Sequence, residues 1–196
     1  MNSLRLIGLI LAGGRATRLG GRDKALISLR GEALLEHLMR RLQPQVDGLA
    51  ISSNADPARY AGFGLPVLAD RLPDYPGPLA GLHAGLACYP DSLVLAVSVD
   101  TPFIPADLAA RLRAGLNVRP CVVASDGTRH ALALLCRPAA AHPLQDYLDT
   151  GRRSVRDFLA QHATMIVFDQ PRDRGLFMNL NTPDDLARAE CEPVPD

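Results

Sequence analysis

The sequence predicts an α/β fold in three layers, a Rossmann-like α/β/α arrangement with a mainly parallel sheet. Short, nearly continuous apolar runs alternate along the chain with longer segments whose apolar residues recur at helical spacing. Continuous apolar runs are typical of strands in a sheet that helices cover on both faces. Glycine and polar residues follow the ends of the early runs, which is the edge where parallel sheets bind ligands.

The first half of the chain supplies four predicted strands, at residues 6–11, 49–53, 67–69 and 93–99. Leucine and methionine at helical spacing predict a helix at residues 34–42, which Pro44 ends because proline cannot continue a helix. Residues 79–88 form a second predicted helix before the fourth strand. This alternation of strands and crossovers favours parallel pairing.

The second half continues the alternation. Pro105 lies in the first turn of a predicted helix, and Gly115 is placed to cap its end. Strands are predicted at residues 121–124, 131–136 and 165–168, and helical segments at 144–148 and 155–159. The last helix begins at residues 182–185, a capping box with Pro183 at the first helical position. Residues 1–191 are thus predicted to form a single domain, with a disordered tail at 192–196.

Composition argues against several classes of partner. Lys plus Arg and Asp plus Glu number 21 each, so no overall field attracts nucleic acid or an acidic membrane surface, and we expect neither as a partner. No run approaches the roughly 20 apolar residues of a membrane span, and the N-terminal run is too short for a signal peptide. The four cysteines are far apart in the sequence and are expected as reduced thiols, which favours a cytoplasmic location.

A glycine-rich segment at residues 11–24 follows the first predicted strand and carries four glycines and four cationic side chains. Glycines let backbone amides approach a polyphosphate, so we expect the backbone of Gly13 and Gly14 to bind phosphate, with Lys24 and Arg18 neutralising its oxygens. The spacing fits neither a P-loop nor the dinucleotide pattern G-x-G-x-x-G. A solvated turn is the alternative, and the coincidence of cations and glycines favours a nucleotide-binding fold.

Polar side chains end three further strands. Asp100 follows the strand at 93–99, where a carboxylate can hold Mg²⁺ against a bound triphosphate, since Mg²⁺ typically takes only one or two protein carboxylates. The alternative is a turn aspartate that caps the next helix, and the nearby glycine-rich segment favours the metal. Asn54 and Asp70 end two shorter strands and either hydrogen-bond a ribose or base edge or serve as turn residues.

Four segments in this order resemble the molybdenum cofactor guanylyltransferases, over about residues 6–189. They are LAGGRATRLGGRDKAL (11–26), DYPGPLAGL (74–82), VDTPFIP (99–105) and NLNTPDDL (179–186). The first segment alone indicates a broad nucleotidyltransferase superfamily. PGPLAG and NLNTP narrow the resemblance to guanylyl transfer onto molybdopterin.

The resemblance implies an enzyme that transfers GMP from Mg-GTP to the phosphate of molybdopterin, with Mg²⁺ as cofactor and pyrophosphate as by-product. Its implied partners are GTP, molybdopterin, cofactor-delivery proteins and apo-molybdoenzymes. Lys24 and Asp100 are implied as catalytic, with Mg²⁺ on Asp100. The implied substrate contacts are Leu11, Ala12, Gly13, Lys24, Asn54, Asp70, Asp100, Asn179 and Asn181, to which the phosphate binding expected of the glycine-rich segment adds Gly14 and Arg18. Asn179 and Asn181 are expected toward the pterin, and Arg152 and Arg153 are further candidates for holding its phosphate.

Two other functions stay open at this point. A molybdopterin cytidylyltransferase or a sugar-phosphate nucleotidyltransferase would prefer CTP or UTP. A non-catalytic adaptor would bind GTP and deliver cofactor without releasing pyrophosphate. Lys24 and Asp100, together with an intact glycine-rich segment, favour an enzyme over the adaptor.

Overall fold

The computed structural model describes residues 4–13, 23–70, 77–127 and 130–192. The strands are β1 (Leu6–Leu11), β2 (Ser28–Leu29), β3 (Glu32–Ala33), β4 (Gly48–Ser52), β5 (Val67–Leu68), β6 (Leu93–Ser98), β7 (Cys121–Ser125), β8 (His130–Cys136) and β9 (Ala163–Val167). The helices are α1 (Leu34–Leu42), α2 (Pro78–Cys88), α3 (Leu108–Ala114), α4 (Ala141–Asp149), α5 (Val155–His162) and α6 (Pro183–Cys191). No helix in these ranges is long and apolar enough to cross a membrane.

A seven-stranded sheet in the order β5-β4-β1-β6-β8-β7-β9 forms the middle layer. β1 pairs in parallel with β4 and β6, and β4 pairs in parallel with β5. β8 runs antiparallel to its neighbours β6 and β7, whereas β9 is again parallel to β7. The sheet is therefore mainly parallel, as the apolar runs predicted, with β8 reversed within it.

Helices cover the sheet on both faces. All six residues of β1 are buried, and its side chains alternate between two apolar clusters because successive strand residues point to opposite faces. Leu6 and Ile10 belong to a cluster with residues of α1, α3 and α6. Leu9 and Leu11 belong to a cluster with residues of α2, α4 and α5. The predicted three-layer arrangement is confirmed.

Helix α2 packs directly on the sheet because two of its glycines face the strands. A Cβ at Gly81 would stand 2.3 Å from Ser52 Oγ, and a Cβ at Gly85 would stand 2.5 Å from Leu9 Cδ2. A side chain at either position would therefore have to displace the strand side chains that pack there. Because Ser52 is the last residue of β4, this contact places the first turn of α2 at the carboxyl end of the strands.

The structure differs from the prediction at the helix that follows β6. Helix α3 begins at Leu108, and Pro105 lies in the turn before it, where its carbonyl accepts the Leu108 amide at 3.2 Å. Gln45 determines this start: its Oε1 accepts the Ala109 amide at 2.9 Å, and its Nε2 donates to the Pro105 carbonyl at 2.9 Å. A side chain from a distant segment thus accepts an amide of the first turn of α3 and contacts the turn that precedes it.

Two predicted helix ends are confirmed. Thr182 N-caps α6 by accepting the Asp185 amide at 3.1 Å, and Pro183 occupies the first helical position. Gly115 ends α3, but at a φ of −81°, and a Cβ there would lie 2.6 Å from Ile166 Cδ1. Close packing, not a left-handed conformation, therefore favours glycine at 115. The expected tail includes residues 193–196, outside the described ranges, and the single-domain assignment of 1–191 stays a prediction.

A hairpin of β2 and β3, which the sequence pattern did not predict, follows Lys24. Its turn holds Arg30 at φ 54°, in the left-handed region that costs a residue with a side chain about 1–2 kcal/mol. Two contacts to α6 stabilise this conformation: the Arg30 amide donates to Glu190 Oε1 at 2.7 Å, and the guanidinium donates to the Ala189 carbonyl at 2.6 Å. Helix α6 thereby fixes the segment that comes directly after Lys24.

Candidate active site

The carboxyl ends of β1, β4 and β6 lie side by side, since Leu11 is in register with both Ser52 and Ser98. We call this part of the molecule the strand edge. Ala12 donates its amide to the Ser52 carbonyl at 2.9 Å, which holds the start of the glycine-rich segment against β4. Within the described residues, and apart from its chain neighbours, no atom lies within 4 Å of a Cβ placed on Gly13. The structure brings Leu11, Ala12 and Gly13 to the edge where parallel sheets bind ligands.

Lys24 reaches the strand edge from the 3-10 turn Lys24–Leu26. Its Nζ lies 3.1 Å from Asp100 Oδ2 and also donates to Asn181 Oδ1. The side chains of Lys24 and Asp100 are 16% and 21% exposed, so the pair is largely buried yet open to solvent on one side. The Leu180 amide donates to the Asp100 carbonyl at 2.8 Å, which keeps Asn181 next to the end of β6.

Asn54 and Asp70 form a pair on the β4–β5 side of the strand edge. Asn54 Nδ2 donates to Asp70 Oδ2 at 2.9 Å, and Asn54 Oδ1 accepts the Asp70 amide at 2.8 Å. Burial raises the pKa of the Asp70 carboxyl above its ordinary value, and the hydrogen bond from Asn54 opposes this rise. The two side chains are therefore held as one unit, with Asn54 exposed and Asp70 half-buried.

A cavity of about 580 Å³ opens beside the lysine–aspartate pair. Asn181 lines the cavity and accepts the hydrogen bond from Lys24, so it stands between the cavity and the strand edge. The walls also include Asn179, the arginines Arg174 and Arg188, the rings of Phe168 and Phe177, and the carboxylates of Asp126, Asp169, Asp173 and Asp185.

A buried ion pair fixes one wall of this cavity. The Arg111 guanidinium donates to both carboxylate oxygens of Asp173, at 2.7 and 3.1 Å, and stacks on Phe168 at 3.6 Å from the ring centroid. The Asp173 side chain is 1% exposed, and the bond from Arg111 holds the pKa of its carboxyl below the ordinary value. Since a charge this buried is tolerated only when it is paired, the ion pair anchors the turn Pro171–Asp173 to α3.

Asp185 fixes the backbone next to Asn181. Its Oδ2 accepts the amides of Asn181 and Thr182 at 3.1 and 2.9 Å and the Thr182 hydroxyl at 2.8 Å. These bonds, that of Thr182 foremost, hold the pKa of the Asp185 carboxyl below its ordinary value. The capping box that starts α6 therefore also positions the residue that contacts Lys24.

The other expected site residues fall into two groups, one outside the described residues and one placed elsewhere in the structure. Gly14 and Arg18 lie outside the described residues, as do residues 74–76 of the proline-rich segment. Arg153 Nη1 donates to the Leu148 carbonyl at 2.7 Å, and Arg152 stacks on Tyr147 at 4.8 Å from the ring centroid. Both arginines therefore contact α4, and neither lines the cavity.

Sequence reasoning also missed residues that the cavity reveals. Arg188 follows the NLNTPDDL segment by two positions, so its place near Asn181 had a signal in the sequence. Arg174 lies between the turn Pro171–Asp173 and Asn179, in a segment without helical or strand periodicity. Its contribution to the cavity depends on the tertiary fold alone.

Asp100 is the carboxylate at the junction of the strand edge and the cavity. In the part of the chain that the structure describes, no three His, Cys, Asp or Glu side chains are grouped as a metal site. A lone hard oxygen ligand suits Mg²⁺, which completes its coordination with phosphate oxygens and water. The residues present are therefore compatible with Mg²⁺ that enters together with a polyphosphate.

A parallel sheet whose edge holds a lysine–aspartate pair, next to a separate polar cavity, has the layout of an enzyme that moves a nucleotidyl group onto a second substrate. The family described as "MobA-like NTP transferase domain" matches residues 8–165. The chain belongs to the family of MobA-like molybdenum cofactor guanylyltransferases and is a nucleotidyltransferase.

The relatives show how far this similarity extends. A "Molybdenum cofactor guanylyltransferase" of Cereibacter sphaeroides is 50% identical over 194 residues, covering 95% of this chain and 96% of the relative. One from Mesorhizobium japonicum is 41% identical over 198 residues, covering 94% of each. The solved structure of molybdopterin-guanine dinucleotide biosynthesis protein A from Archaeoglobus fulgidus shares the fold, with a TM-score of 0.76 at 21% identity over 94% of this chain and 96% of that chain.

Proposed function

We propose that the protein transfers GMP from GTP to the phosphate of molybdopterin, forming molybdopterin guanine dinucleotide and releasing pyrophosphate. The position of Asn181 carries this proposal: it lines the cavity and bonds to Lys24, which pairs with Asp100. Two ligands that bind on either side of Asn181 would meet at the lysine–aspartate pair. The names of the relatives support guanylyl transfer and a molybdopterin acceptor.

GTP would bind along the strand edge. The backbone of Leu11, Ala12 and Gly13 lies at this edge. The Lys24 ammonium donates to Asp100 and Asn181 and has a third N–H for a phosphate oxygen. The Asn54–Asp70 unit presents acceptors to the ribose hydroxyls or to the N–H groups of guanine.

Molybdopterin would bind in the cavity, which we call the acceptor cavity from here on. Its volume of about 580 Å³ lies within the range of small-molecule sites. Arg174 and Arg188 complement the phosphate of the acceptor, because guanidinium groups match phosphate geometry. Carboxylates such as Asp126 and Asp169 accept hydrogen bonds from the amino and N–H donors of a pterin ring.

The reaction needs little proton transfer. An oxygen of the molybdopterin phosphate attacks the α-phosphorus of GTP, a P–O bond forms, and the bond to the β-phosphate breaks with release of pyrophosphate. The nucleophile is already an anion at neutral pH, so no general base is needed. The barrier comes from bringing anions together, and Lys24 lowers it by donating to the phosphate oxygens. Mg²⁺ held by Asp100 would supply further neutralisation of the triphosphate and the leaving group.

Pyrophosphate release tests this function. Purified protein, Mg²⁺ and molybdopterin would be supplied separately with GTP, CTP, ATP and UTP. We expect release with GTP only, and only when molybdopterin is present. Release with CTP would assign the protein to cytidylyl transfer, and GTP binding without release would favour a delivery adaptor.

We also propose a cytoplasmic location, with cofactor-delivery proteins and apo-molybdoenzymes as recipients of the product. The four cysteines lie far apart in the sequence without a C-x-x-C pair, which supports a reducing compartment.

A further inference from the structure

A chain of hydrogen bonds through Tyr60 joins two segments of the strand edge. The Tyr60 hydroxyl lies 2.8 Å from Asp23 Oδ2 and 3.0 Å from Ser53 Oγ. Tyr60 is 1% exposed, Ser53 4% and the Asp23 side chain 5%. These polar groups are therefore satisfied mainly by one another rather than by bulk water.

Each end of this chain belongs to a segment that carries a proposed nucleotide contact. Asp23 N-caps the turn Lys24–Leu26, because its Oδ1 accepts the Ala25 amide at 3.1 Å. Ser53 follows β4 directly and precedes Asn54. The chain thus links the turn that holds Lys24 to the strand end that holds Asn54.

The direction of the hydrogen bonds follows from the chemistry of the three side chains. Burial raises the pKa of Tyr60 to about 12, so its hydroxyl keeps its proton at neutral pH. That proton goes to the Asp23 carboxylate, which can only accept. The Ser53 hydroxyl then donates to the Tyr60 oxygen, while Ser53 Oγ accepts the Ala55 amide at 3.2 Å. Every hydrogen bond in the chain therefore has the same donor-to-acceptor direction. The chain starts at the Ala55 amide, passes through Ser53 and Tyr60, and ends at Asp23, which caps the turn that holds Lys24.

We propose that Tyr60 is a positioning residue that sets the spacing between the phosphate-binding side and the ribose- or base-binding side of the nucleotide site. The inference rests on the function proposed above. Phenylalanine would fill the same apolar volume, so packing alone does not require the hydroxyl. Without that hydroxyl, the side-chain partner of Asp23 among the described residues is Arg59, at 3.6 Å, and the Arg59 side chain is 48% exposed. A contact this long, to an arginine that is half exposed, is a weaker tether than the 2.8 Å hydrogen bond from Tyr60.

The test compares Tyr60→Phe with Tyr147→Phe in the full-length protein, by calorimetric titration with Mg-GTP. Tyr147 is a matched control because it is 3% exposed and its hydroxyl donates to the Ser154 carbonyl at 2.9 Å, on the opposite face of the sheet. We expect Tyr60→Phe to raise the Kd of GTP about tenfold and Tyr147→Phe to change it by less than about twofold.

Two further readouts separate positioning from a general loss of stability. The Kd of GMP should rise less than that of GTP in Tyr60→Phe, because GMP lacks the β- and γ-phosphates that span the site. Ser53→Ala breaks the same chain at its other end and should weaken GTP binding in the same direction. The double variant should lose little more than Tyr60→Phe alone, since both changes interrupt one chain. Ser53→Ala carries the test by itself if Tyr60→Phe does not fold.

The outcomes distinguish this inference from the proposed reaction. Wild-type affinity in both Tyr60→Phe and Ser53→Ala, or an equal loss in Tyr147→Phe, would overturn the role of Tyr60. Wild-type protein that binds GTP but releases no pyrophosphate would contradict the reaction only, because the readout here is affinity. If another nucleoside triphosphate binds best, the Kd of each variant relative to the wild type is measured with that nucleotide instead. Wild-type protein that binds no nucleoside triphosphate would overturn both.

Discussion

The strand edge and the acceptor cavity are built by different physical means. At the strand edge, backbone register places the ends of β4 and β6, which Asn54 and Asp100 follow, on either side of Leu11. In the acceptor cavity, loop segments form the walls, and buried side-chain pairs such as Arg111–Asp173 hold them in place. Changes at the edge should therefore alter chemistry with the fold intact, whereas changes to the cavity supports should first alter stability.

Lys24 and Asn181 connect the two regions. The hydrogen bond between their side chains joins positions that lie 157 residues apart. The junction depends on the edge through Asp100 and on the cavity through the capping box of Asp185. Variants on either side of this bond show whether the two regions act independently.

The largest effect is expected from Asp100→Ala. Loss of the carboxylate removes the proposed Mg²⁺ ligand and the partner of Lys24, so turnover should fall by about 10³-fold or more, with weaker Mg-GTP binding. Because β6 is held by its backbone pairing, Tm should change little. Pyrophosphate release and thermal unfolding measure the two effects. Asp91→Ala is the control, because Asp91 is exposed and lies near the amino end of the same strand. Near-wild-type turnover in Asp100→Ala would remove Asp100 from the mechanism.

In contrast to Asp100→Ala, we expect Arg111→Ala to lower stability and to leave GTP affinity nearly unchanged. It leaves the Asp173 carboxylate buried without its main partner, which should lower the free energy of unfolding by about 3–5 kcal/mol. Where the variant is still folded, the Kd of GTP should stay near the wild-type value. Urea denaturation and GTP titration measure both, with the exposed Arg156→Ala as a matched control. A large loss of GTP affinity in folded Arg111→Ala would show that the two regions are coupled.

The same pair predicts a pH dependence of stability. The pKa of Asp173 is lower in the folded protein than in the unfolded chain, so its pairing stabilises the fold above about pH 4. This contribution is lost as the pH falls through the folded pKa. The destabilisation caused by Arg111→Ala should therefore shrink between pH 7 and pH 3, because protonation removes the unpaired charge. Urea denaturation curves of the wild type and of Arg111→Ala across this pH range check the prediction. A difference in the free energy of unfolding that does not change with pH would contradict it.

Lys24→Ala should lower kcat/KM for the nucleotide about 10- to 100-fold, since a charge-assisted hydrogen bond to phosphate is lost. Lys24 is the sole lysine in the sequence, so pyridoxal 5′-phosphate, an aldehyde that carries a phosphate group, can be directed at one lysine side chain of the phosphate-binding side. Borohydride trapping and peptide mapping should place the label on Lys24, and excess GTP should protect it. Unchanged kinetic constants in Lys24→Ala would exclude it from phosphate binding.

The smallest effect is expected from Arg188→Ala. The Arg188 side chain is 55% exposed, and its 3.3 Å contact with Asp185 contributes little to stability. We expect the KM of molybdopterin to rise about five- to tenfold, with the KM of GTP unchanged. Initial rates with one substrate varied at a time separate the two constants. An increase confined to the KM of GTP would place Arg188 outside the acceptor site.

The elements that rest on regular periodicity were predictable from the sequence. The continuous apolar run at 6–11 is β1 as predicted, and Thr182 and Pro183 start α6 because their chemistry is local. The hairpin of β2 and β3 was missed because each of its strands has two residues, too short for any period to show. The start of α3 was misplaced because Gln45, from another segment, caps it.

By itself, the sequence determined the mainly parallel sheet, its helical layers and which side chains follow the strand ends, because burial pattern and capping are properties of neighbouring residues. Only the tertiary structure decided that Lys24 meets Asn181, that Arg111 pairs with Asp173, and that Arg174 lines the cavity. These contacts join residues distant along the chain. Their energies depend on burial and on distances between charged groups, which become defined only when the layers pack.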